Sequence, residues 1–258
     1  MSGDCALDGL TVLVARPARR EDDFSARLAV LGARVHRLPA MAIEPLDTPE
    51  SRALLAMVSD FDKVVVVSAN AASLALARLD SAALRERGPA WFAVGAGSAA
   101  PLHEAGIAVG CPVDDATSEG LLALPAFAEV AGQQVLIIRG EGGRDVLRAG
   151  LVARGARVTF CELYRRVVDT SHRAQVQSLL ESKTLDLVVT HSADVLACFL
   201  AQVAGSDRAL MERTAVLVPS DRAAEMAWQA GFGEVIRAAS ALPSAMVDAA
   251  VGWYTSLQ

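Results

Sequence analysis

The segment Phe160-Cys161-Glu162-Leu163-Tyr164-Arg165-Arg166-Val167-Val168 is an extended run with two adjacent cations and one aromatic hydroxyl. It follows Gly155-Ala156-Arg157-Val158, where a glycine ends a helical pattern. A second connector, Leu38 to Pro45, follows the matching sequence Gly32-Ala33-Arg34-Val35. Two matched connectors predict two lobes that the chain joins twice, with a cleft between them. We expect Tyr164 to face that cleft.

The length and composition of the chain are typical of a soluble globular α/β protein. Its 258 residues suffice for one large domain or for two of about 125 residues each. Apolar residues make up 53%, yet no run of about 18 apolar residues occurs, so the sequence predicts no membrane span and no membrane partner. The N-terminus, Met1 to Cys5, lacks the features of a secretory signal, and we expect a cytoplasmic protein.

Cysteine, histidine and charge content argue against several classes of function. The four cysteines contain no Cys-x-x-Cys pair, which argues against a disulfide scaffold and against structural zinc. The histidines have no metal-ligand spacing, so we expect no metal site; they are His36, His103, His172 and His191. A formal net charge of −6 argues against nucleic-acid binding, which needs a basic face.

Strand and helix patterns alternate along the chain. Leu10 to Ala15 and Val64 to Val67 are short apolar runs of the kind found in buried parallel strands. Phe24 to Leu31 has helical spacing and ends at Gly32, and Thr117 opens a predicted helix toward Phe127. Such alternation predicts parallel sheets covered by helices on both faces.

The second half of the chain repeats the pattern of the first. Val135 to Arg139 matches Val12 to Arg16, and Leu185 to Ala193 matches Phe61 to Ala69, at an offset of about 124 residues. The repeat predicts an internal duplication. The predicted fold class is therefore α/β, with two lobes that each hold a parallel sheet flanked by helices.

Polar residues collect where the predicted strands end. In parallel sheets this edge faces the ligand, and helix N-termini point their N–H groups there. Hydroxyl and amide side chains are also common helix N-caps, so capping alone explains any single one of them. As a set they predict a binding site; the candidates are Arg16, Ser68, Asn70, Ser98, Ser118, Arg139, Gly140, Ser192 and Ser220.

The sequence also allows two other kinds of site, a dinucleotide-binding site and a hydrolase triad. Gly95 to Ala100 satisfies the dinucleotide pattern G-x-G-x-x-A, with Asp114 and Asp115 at about the distance expected for a ribose contact. His191, Ser192 and Asp194 suggest a hydrolase triad, but the chain has no G-x-S-x-G elbow.

Ordered short motifs along nearly the whole chain resemble those of the uroporphyrinogen-III synthase family. No single motif is specific, but their order together with the repeat is. The motifs are Val14-Ala15-Arg16-Pro17, Val67-Ser68-Ala69-Asn70-Ala71, Ala93-Val94-Gly95, Thr117 to Leu121, Leu136 to Asp145, Tyr164-Arg165-Arg166 and His191-Ser192-Ala193.

This resemblance implies two lobes with exchanged segments and a two-stranded linker. Residues 1–38 and 168–258 would form one lobe, 45–161 the other, and 39–44 with 162–167 the linker strands. The implied enzyme is a lyase of tetrapyrrole (haem) biosynthesis that needs no cofactor. It cyclises hydroxymethylbilane to uroporphyrinogen III, with loss of water and inversion of ring D. We expect a monomer, with the upstream bilane-producing enzyme as a possible partner.

The resemblance also implies roles for individual residues. Tyr164 corresponds to the family's cleft tyrosine and would protonate the departing hydroxyl as a general acid; the alternative is that it only packs the linker. Ser98 and Ser220 would present hydroxyls to the substrate, whereas Asp221 departs from the family pattern. Arg16 and Arg139 would bind substrate carboxylates. The alternative function is a non-catalytic two-lobed binding protein for a small anionic ligand.

Overall fold

The computed structural model describes residues 5–16, 23–80, 88–203 and 208–258. These residues confirm the predicted α/β class, because they form two largely parallel sheets flanked by helices. The chain divides into two compact units. Unit 1 comprises Met1–Ala42 and Val167–Gln258, and unit 2 comprises Ile43–Arg166. Pro17, part of the first motif, lies outside the described residues.

Unit 1 contains a five-stranded sheet in which every pairing is parallel. Its strands are β1 (Thr11–Val14), β2 (Arg34–Arg37), β9 (Leu187–Val189), β10 (Ala215–Val218) and β11 (Glu234–Arg237), in the order β11-β10-β9-β1-β2. The described helices are α1 (Asp23–Val30), α7 (Arg173–Glu181), α8 (Ala193–Gln202), α9 (Arg208–Glu212), α10 (Asp221–Ala230) and α11 (Pro243–Ser256).

The second sheet has six strands and belongs mainly to unit 2. They are β3 (Met41–Pro45), β4 (Lys63–Val66), β5 (Ala90–Ala93), β6 (Val109–Gly110), β7 (Gln134–Gly140) and β8 (Arg157–Val168), in the order β3-β8-β7-β4-β5-β6. The described helices are α2 (Pro49–Ala56), α3 (Ala69–Leu76), α4 (Ala96–Glu104), α5 (Ser118–Leu122) and α6 (Val146–Ala153). The chain passes from one unit to the other within β3 and again within β8.

Each sheet is buried on both faces, which explains why its central strands are continuously apolar. In β1, Leu13 packs into one core cluster, while Val12 and Val14 pack into the cluster on the opposite face. In β4, Val64 and Val66 share one cluster and Val65 faces the other. None of the described helices is long and apolar enough to cross a membrane.

Glycine and proline set two of the helix boundaries that bear on the prediction. Gly32 follows α1 with a φ of +98°, a left-handed conformation that favours glycine and confirms the predicted stop. The predicted helix from Thr117 to Phe127 is wrong in length, because α5 ends at Leu122. Pro125 disfavours helical geometry at Leu124, which is extended, and a short 3₁₀ turn follows.

A β-bulge changes the register between β7 and β8. Arg139 pairs with Glu162, but the next residue, Gly140, pairs with Tyr164, so Leu163 is an extra residue in β8. Side chains of a regular strand alternate between faces, yet Leu163 and Tyr164 are both buried. The bulge therefore brings the Tyr164 ring against Gly140.

Candidate functional site

Unit 2 contains a cavity of about 300 Å³ at the carboxyl ends of β4, β7 and β8. It gathers five of the residues predicted from the sequence: Ser68, Ser118, Arg139, Gly140 and Tyr164. We call this cavity the arginine pocket, because four arginines line it. Its lining residues are Val67, Ser68, Ser118, Ile137, Arg139, Gly140, Gly142, Gly143, Arg144, Leu147, Arg148, Phe160, Tyr164 and Arg166.

The charge of the arginine pocket is one-sided. Arg139, Arg144, Arg148 and Arg166 line it, and no aspartate or glutamate is among the described lining residues. Arg144 is exposed and pairs with Glu119 at 3.6 Å, outside the lining. Cations clustered without anions repel one another, so this arrangement favours a negatively charged ligand.

Arg139 is the buried member of the pocket, with 8% of its surface exposed. Its Nε donates a hydrogen bond to the carbonyl oxygen of Gly140 at 3.1 Å, and its guanidinium lies 4.6 Å from the centre of the Phe160 ring. Gly143, with a φ of +93°, lies so close that an added Cβ would be 2.7 Å from Arg139 Nη2. Backbone, ring and glycine turn together hold this guanidinium in place.

Tyr164 lies in the wall of the pocket with 1% of its surface exposed. Its hydroxyl is 3.0 Å from Ser68 Oγ and 3.4 Å from Arg166 Nη2, and the Arg166 guanidinium lies 5.5 Å from the ring centre. Ser68 is also the N-cap of α3, because its Oγ accepts a hydrogen bond from Ala71 N at 3.1 Å. The tyrosine hydroxyl is thus connected to a helix N-terminus and to a cation.

The neighbouring Arg165 points away from this group, as strand alternation predicts. It forms a bidentate ion pair with Glu44, with distances of 3.0 Å and 2.8 Å. The Arg165 hydrogen bond lowers the pKa of Glu44 below its usual value. Of the two adjacent arginines, only Arg166 belongs to the pocket.

The remaining predicted residues of unit 2 do not line the arginine pocket. Asn70 is exposed on the first turn of α3, and Ser98 is half-buried on the first turn of α4.

Ser118, which does line the pocket, is the first residue of α5. The preceding residue, Thr117, caps that helix because its Oγ1 accepts a hydrogen bond from Gly120 N.

The predicted residues of unit 1 lie at the carboxyl edge of its sheet. Arg16 is half-buried just beyond β1. Ser192 and Ser220 are N-caps of α8 and α10, which confirms the capping interpretation for these two serines. Asp221 is exposed, begins α10 and pairs with Arg237 at 3.1 Å.

Among the pocket residues that were not predicted as site residues, three bear on ligand binding: Arg144, Arg148 and Phe160. The sequence did contain an indication of the two arginines. A turn with two glycines follows β7, and Arg144 comes just before α6 while Arg148 lies within it. Phe160 gave no signal of its own, because an aromatic residue in a strand usually belongs to the core.

Structural roles explain residues of the two other candidate sites. Gly95 packs closely against Ala116, since an added Cβ would be 2.7 Å from its methyl group, so packing explains this glycine. Ser192 caps a helix and Asp194 pairs with Arg222 at 3.8 Å, so capping and ion pairing explain these two side chains. Burial raises the pKa of Cys161 to about 11, which leaves this thiol unreactive. Within the described ranges, no group of three or more histidine, cysteine, aspartate or glutamate residues could hold a metal ion.

Comparison with known proteins identifies one family. The family model described as uroporphyrinogen-III synthase HemD matches residues 22–248. The uroporphyrinogen-III synthase of Escherichia coli (strain K12) is 30% identical over 230 residues, which cover 88% of this chain and 94% of the relative. The Salmonella typhimurium protein of the same name matches with the same identity and coverage.

Solved structures show the same fold at lower identity. A mutant uroporphyrinogen III synthase from the extremely thermophilic bacterium Thermus thermophilus aligns with a TM-score of 0.61 and 20% identity, over 96% of this chain and 100% of that one. The uroporphyrinogen-III synthetase of Helicobacter pylori 26695 aligns with a TM-score of 0.64 and 12% identity, over 95% and 99%.

Proposed function

The chain belongs to the uroporphyrinogen-III synthase family, and we propose from this premise that it performs the family's reaction. It is a lyase of tetrapyrrole biosynthesis that closes hydroxymethylbilane to uroporphyrinogen III, with loss of water and inversion of ring D. The structural observation that supports this function is the arginine pocket, because the substrate carries eight carboxylates. The alternative, a binding protein without activity, has no support from the comparisons.

The arginine pocket explains how a chain with a negative net charge can bind a polyanionic substrate. A chain with a formal charge of −6 repels a polyanion at long range, but local fields decide binding at short range. Screening confines the overall repulsion to about 8 Å at physiological ionic strength. Four guanidinium groups around one cavity therefore outweigh acids spread over the surface.

The reaction needs orientation more than acid–base chemistry. The bilane closes unaided, without inversion, so the protein has to hold ring D such that its substituted α-carbon bonds first. Positioning of this kind is worth about 7–11 kcal/mol in favourable systems. Arg139 is suited to the task because its guanidinium is held from several sides.

Tyr164 is the proposed proton donor to the departing hydroxyl. Either hydroxyl of the Tyr164–Ser68 pair can be the donor. When Ser68 donates, Tyr164 keeps its own proton for the oxygen that leaves as water. The proposed substrate contacts are Arg16, Ser68, Asn70, Ser98, Ser118, Arg139, Gly140, Ser192 and Ser220.

The decisive experiment follows the isomer formed. Purified protein is incubated with freshly generated bilane, and the macrocycles are oxidised and separated by chromatography. We expect the III isomer to replace the I isomer that forms spontaneously. Heat-denatured protein is the control. A product that remains isomer I with the native protein contradicts the proposed function.

We extend the proposal to the setting of the enzyme. It acts as a monomer in the cytoplasm and accepts the bilane from the enzyme that produces it, because an intermediate that closes unaided is best transferred over a short distance. Light scattering during gel filtration tests the monomer. A faster appearance of isomer III when both enzymes are mixed, at equal bilane supply, tests the transfer.

A further inference from the structure

The arginine pocket is too small for the whole substrate of the proposed function. Its volume of about 300 Å³ lies at the lower end of the range for drug-sized ligands. A linear tetrapyrrole has four rings and eight carboxylate arms. Only a part of such a molecule fits, and the cationic lining selects the part that carries charge.

The pocket contains a guanidinium that the fold leaves without a counter-ion. Arg139 is more than nine-tenths buried, its Nε donates to a carbonyl oxygen, and no carboxylate pairs with it among the described residues. Burying a charge without an ionic partner is costly, and buried charges in proteins are normally paired. An anionic ligand supplies the missing partner.

Arg148 provides a second guanidinium at the same place. It lies 5.6 Å from the centre of the Phe160 ring, while Arg139 lies 4.6 Å from it. The Phe160 ring thus orients two guanidinium groups beside one cavity, and stacking of this kind is a property of arginine rather than lysine. Arg148 is exposed and makes no ion pair among the described residues, so its charge is available to a ligand.

We propose that the arginine pocket is the subsite for the carboxylate arms of one pyrrole ring of the bilane, with Arg139 as the buried anchor and Arg148 as its exposed partner. This assignment rests on the proposed function, which supplies the substrate class. It adds Arg148 and Phe160 to the residues that determine how the substrate is positioned. Gly142 and Gly143, which also line the pocket, contribute no side chain to it, and an added Cβ at Gly143 would be 2.7 Å from Arg139 Nη2.

The test measures binding separately from turnover. The probe is the octacarboxylate porphyrin obtained by oxidising uroporphyrinogen III, titrated by fluorescence against the full-length protein. Arg148→Gln removes an exposed charge whose guanidinium contacts the ring of Phe160. We expect its Kd to rise about tenfold, equivalent to about 1.4 kcal/mol. Arg148→Lys keeps the charge but not the planar group that stacks on Phe160, so its Kd should rise by about threefold, between the wild type and Arg148→Gln.

Arg157→Gln is the matched control. Arg157 is also an exposed arginine of unit 2, but it begins β8 at the opposite end of that strand from Tyr164. The change in net charge is the same, so this variant should shift the Kd less than about twofold if local contacts dominate. An equal rise in both variants would show a general charge effect and overturn the subsite.

Steady-state assays with the bilane then locate the role of Arg148 in the reaction. We expect Arg148→Gln to raise KM about as much as Kd, with kcat changed less than about threefold. An unchanged Kd overturns the subsite even if the protein makes isomer III. A wild-type protein that makes only isomer I, yet binds the porphyrin tenfold better than Arg148→Gln, overturns the proposed function and leaves only a carboxylate-binding role for the arginine pocket, with the bilane excluded as its ligand.

Discussion

Tyr164 both packs against a neighbouring strand and carries the proposed catalytic hydroxyl. Its ring packs against Gly140, where an added Cβ would be 2.5 Å away, and its hydroxyl contacts Ser68 and Arg166. A buried hydroxyl needs a partner, and Ser68 supplies one from the loop after β4, two strands away from β8 in the sheet. The same contact holds the Tyr164 hydroxyl in a defined orientation.

Replacing Tyr164 with phenylalanine distinguishes a role as general acid from a role in packing alone. Tyr164→Phe keeps the ring and removes the hydroxyl, so we expect kcat to fall by about 10²-fold if the phenol is the general acid. The lost hydrogen bond should lower the free energy of unfolding by only about 0.5–1.5 kcal/mol. Single-turnover assays and urea denaturation measure the two effects.

The second tyrosine of the chain is a matched control. Tyr254 in α11 donates a hydrogen bond to the carbonyl oxygen of Asp8 at 2.7 Å, within unit 1. Tyr254→Phe therefore costs a similar amount of stability, but we expect unchanged turnover. If Tyr164→Phe also leaves turnover unchanged, Tyr164 is a packing residue.

Gly140 tests how closely the pocket depends on the position of the tyrosine ring. Gly140→Ala forces the ring or the strand to move, and overpacking of this kind usually costs about 1–3 kcal/mol. We expect a lower urea midpoint together with reduced turnover, because the displaced ring no longer reaches Ser68.

Gly252→Ala is the comparison for Gly140→Ala. Gly252 lies within α11, and no atom beyond its chain neighbours and the backbone of its own helix lies within 4 Å of the position its Cβ would take. Alanine should therefore raise stability by up to about 1 kcal/mol through its helix propensity. A Gly140→Ala variant as stable as the wild type would contradict the close packing between Gly140 and the Tyr164 ring.

At the scale of elements, serine N-caps begin helices in both units. Ser68 caps α3 and Ser192 caps α8, each through a hydrogen bond from the amide three residues on. They differ in one respect, since Ser68 also contacts the Tyr164 hydroxyl. The same capping chemistry thus has an additional role in unit 2.

Alanine at these two caps should have different consequences. Ser192→Ala is expected to lower the free energy of unfolding by about 1 kcal/mol through the lost cap. Ser68→Ala loses its cap and also leaves the buried phenol without this partner, which adds about 1–3 kcal/mol. Urea denaturation gives both values, and only Ser68→Ala should slow turnover. Equal losses of stability in the two variants would argue that the Ser68–Tyr164 contact contributes nothing.

The sequence was informative about elements and less so about their register. Apolar runs located β1 and β4 because these strands are buried on both faces, and glycine marked the end of α1. The bulge at Leu163 could not be foreseen, since it depends on how β8 pairs with β7. Arg148 was missed for the same kind of reason, because its side chain reaches the pocket only through the placement of α6 beside Phe160.

At the scale of the molecule, both sheets share one arrangement of their central strands. Five strands follow the order β2-β1-β9-β10-β11 in one sheet and β8-β7-β4-β5-β6 in the other, where β3 adds an edge. A duplication with exchanged segments would produce such a correspondence. The duplication inferred from the repeated sequence remains a prediction, and the shared order supports it.

Unit 2 is one continuous segment, whereas unit 1 needs both ends of the chain. The two core clusters of unit 2 draw only on residues between Ile43 and Tyr164. In unit 1, β1 pairs with both β9 and β2, so residues 167–258 alone lack two of the five strands of their sheet, β1 and β2. Independent folding is therefore expected for one unit only.

Two fragments test this asymmetry. Residues 43–166 expressed alone should give a cooperative urea transition and a circular dichroism spectrum of mixed helix and sheet, because their core is complete. Residues 167–258 should remain unfolded until residues 1–42 are added, since only then can β9 pair with β1. The first fragment keeps the arginine pocket but should form no isomer III, because the proposed contacts of unit 1, Arg16, Ser192 and Ser220, are missing. A first fragment without a cooperative transition would show that the clusters of unit 2 are insufficient by themselves.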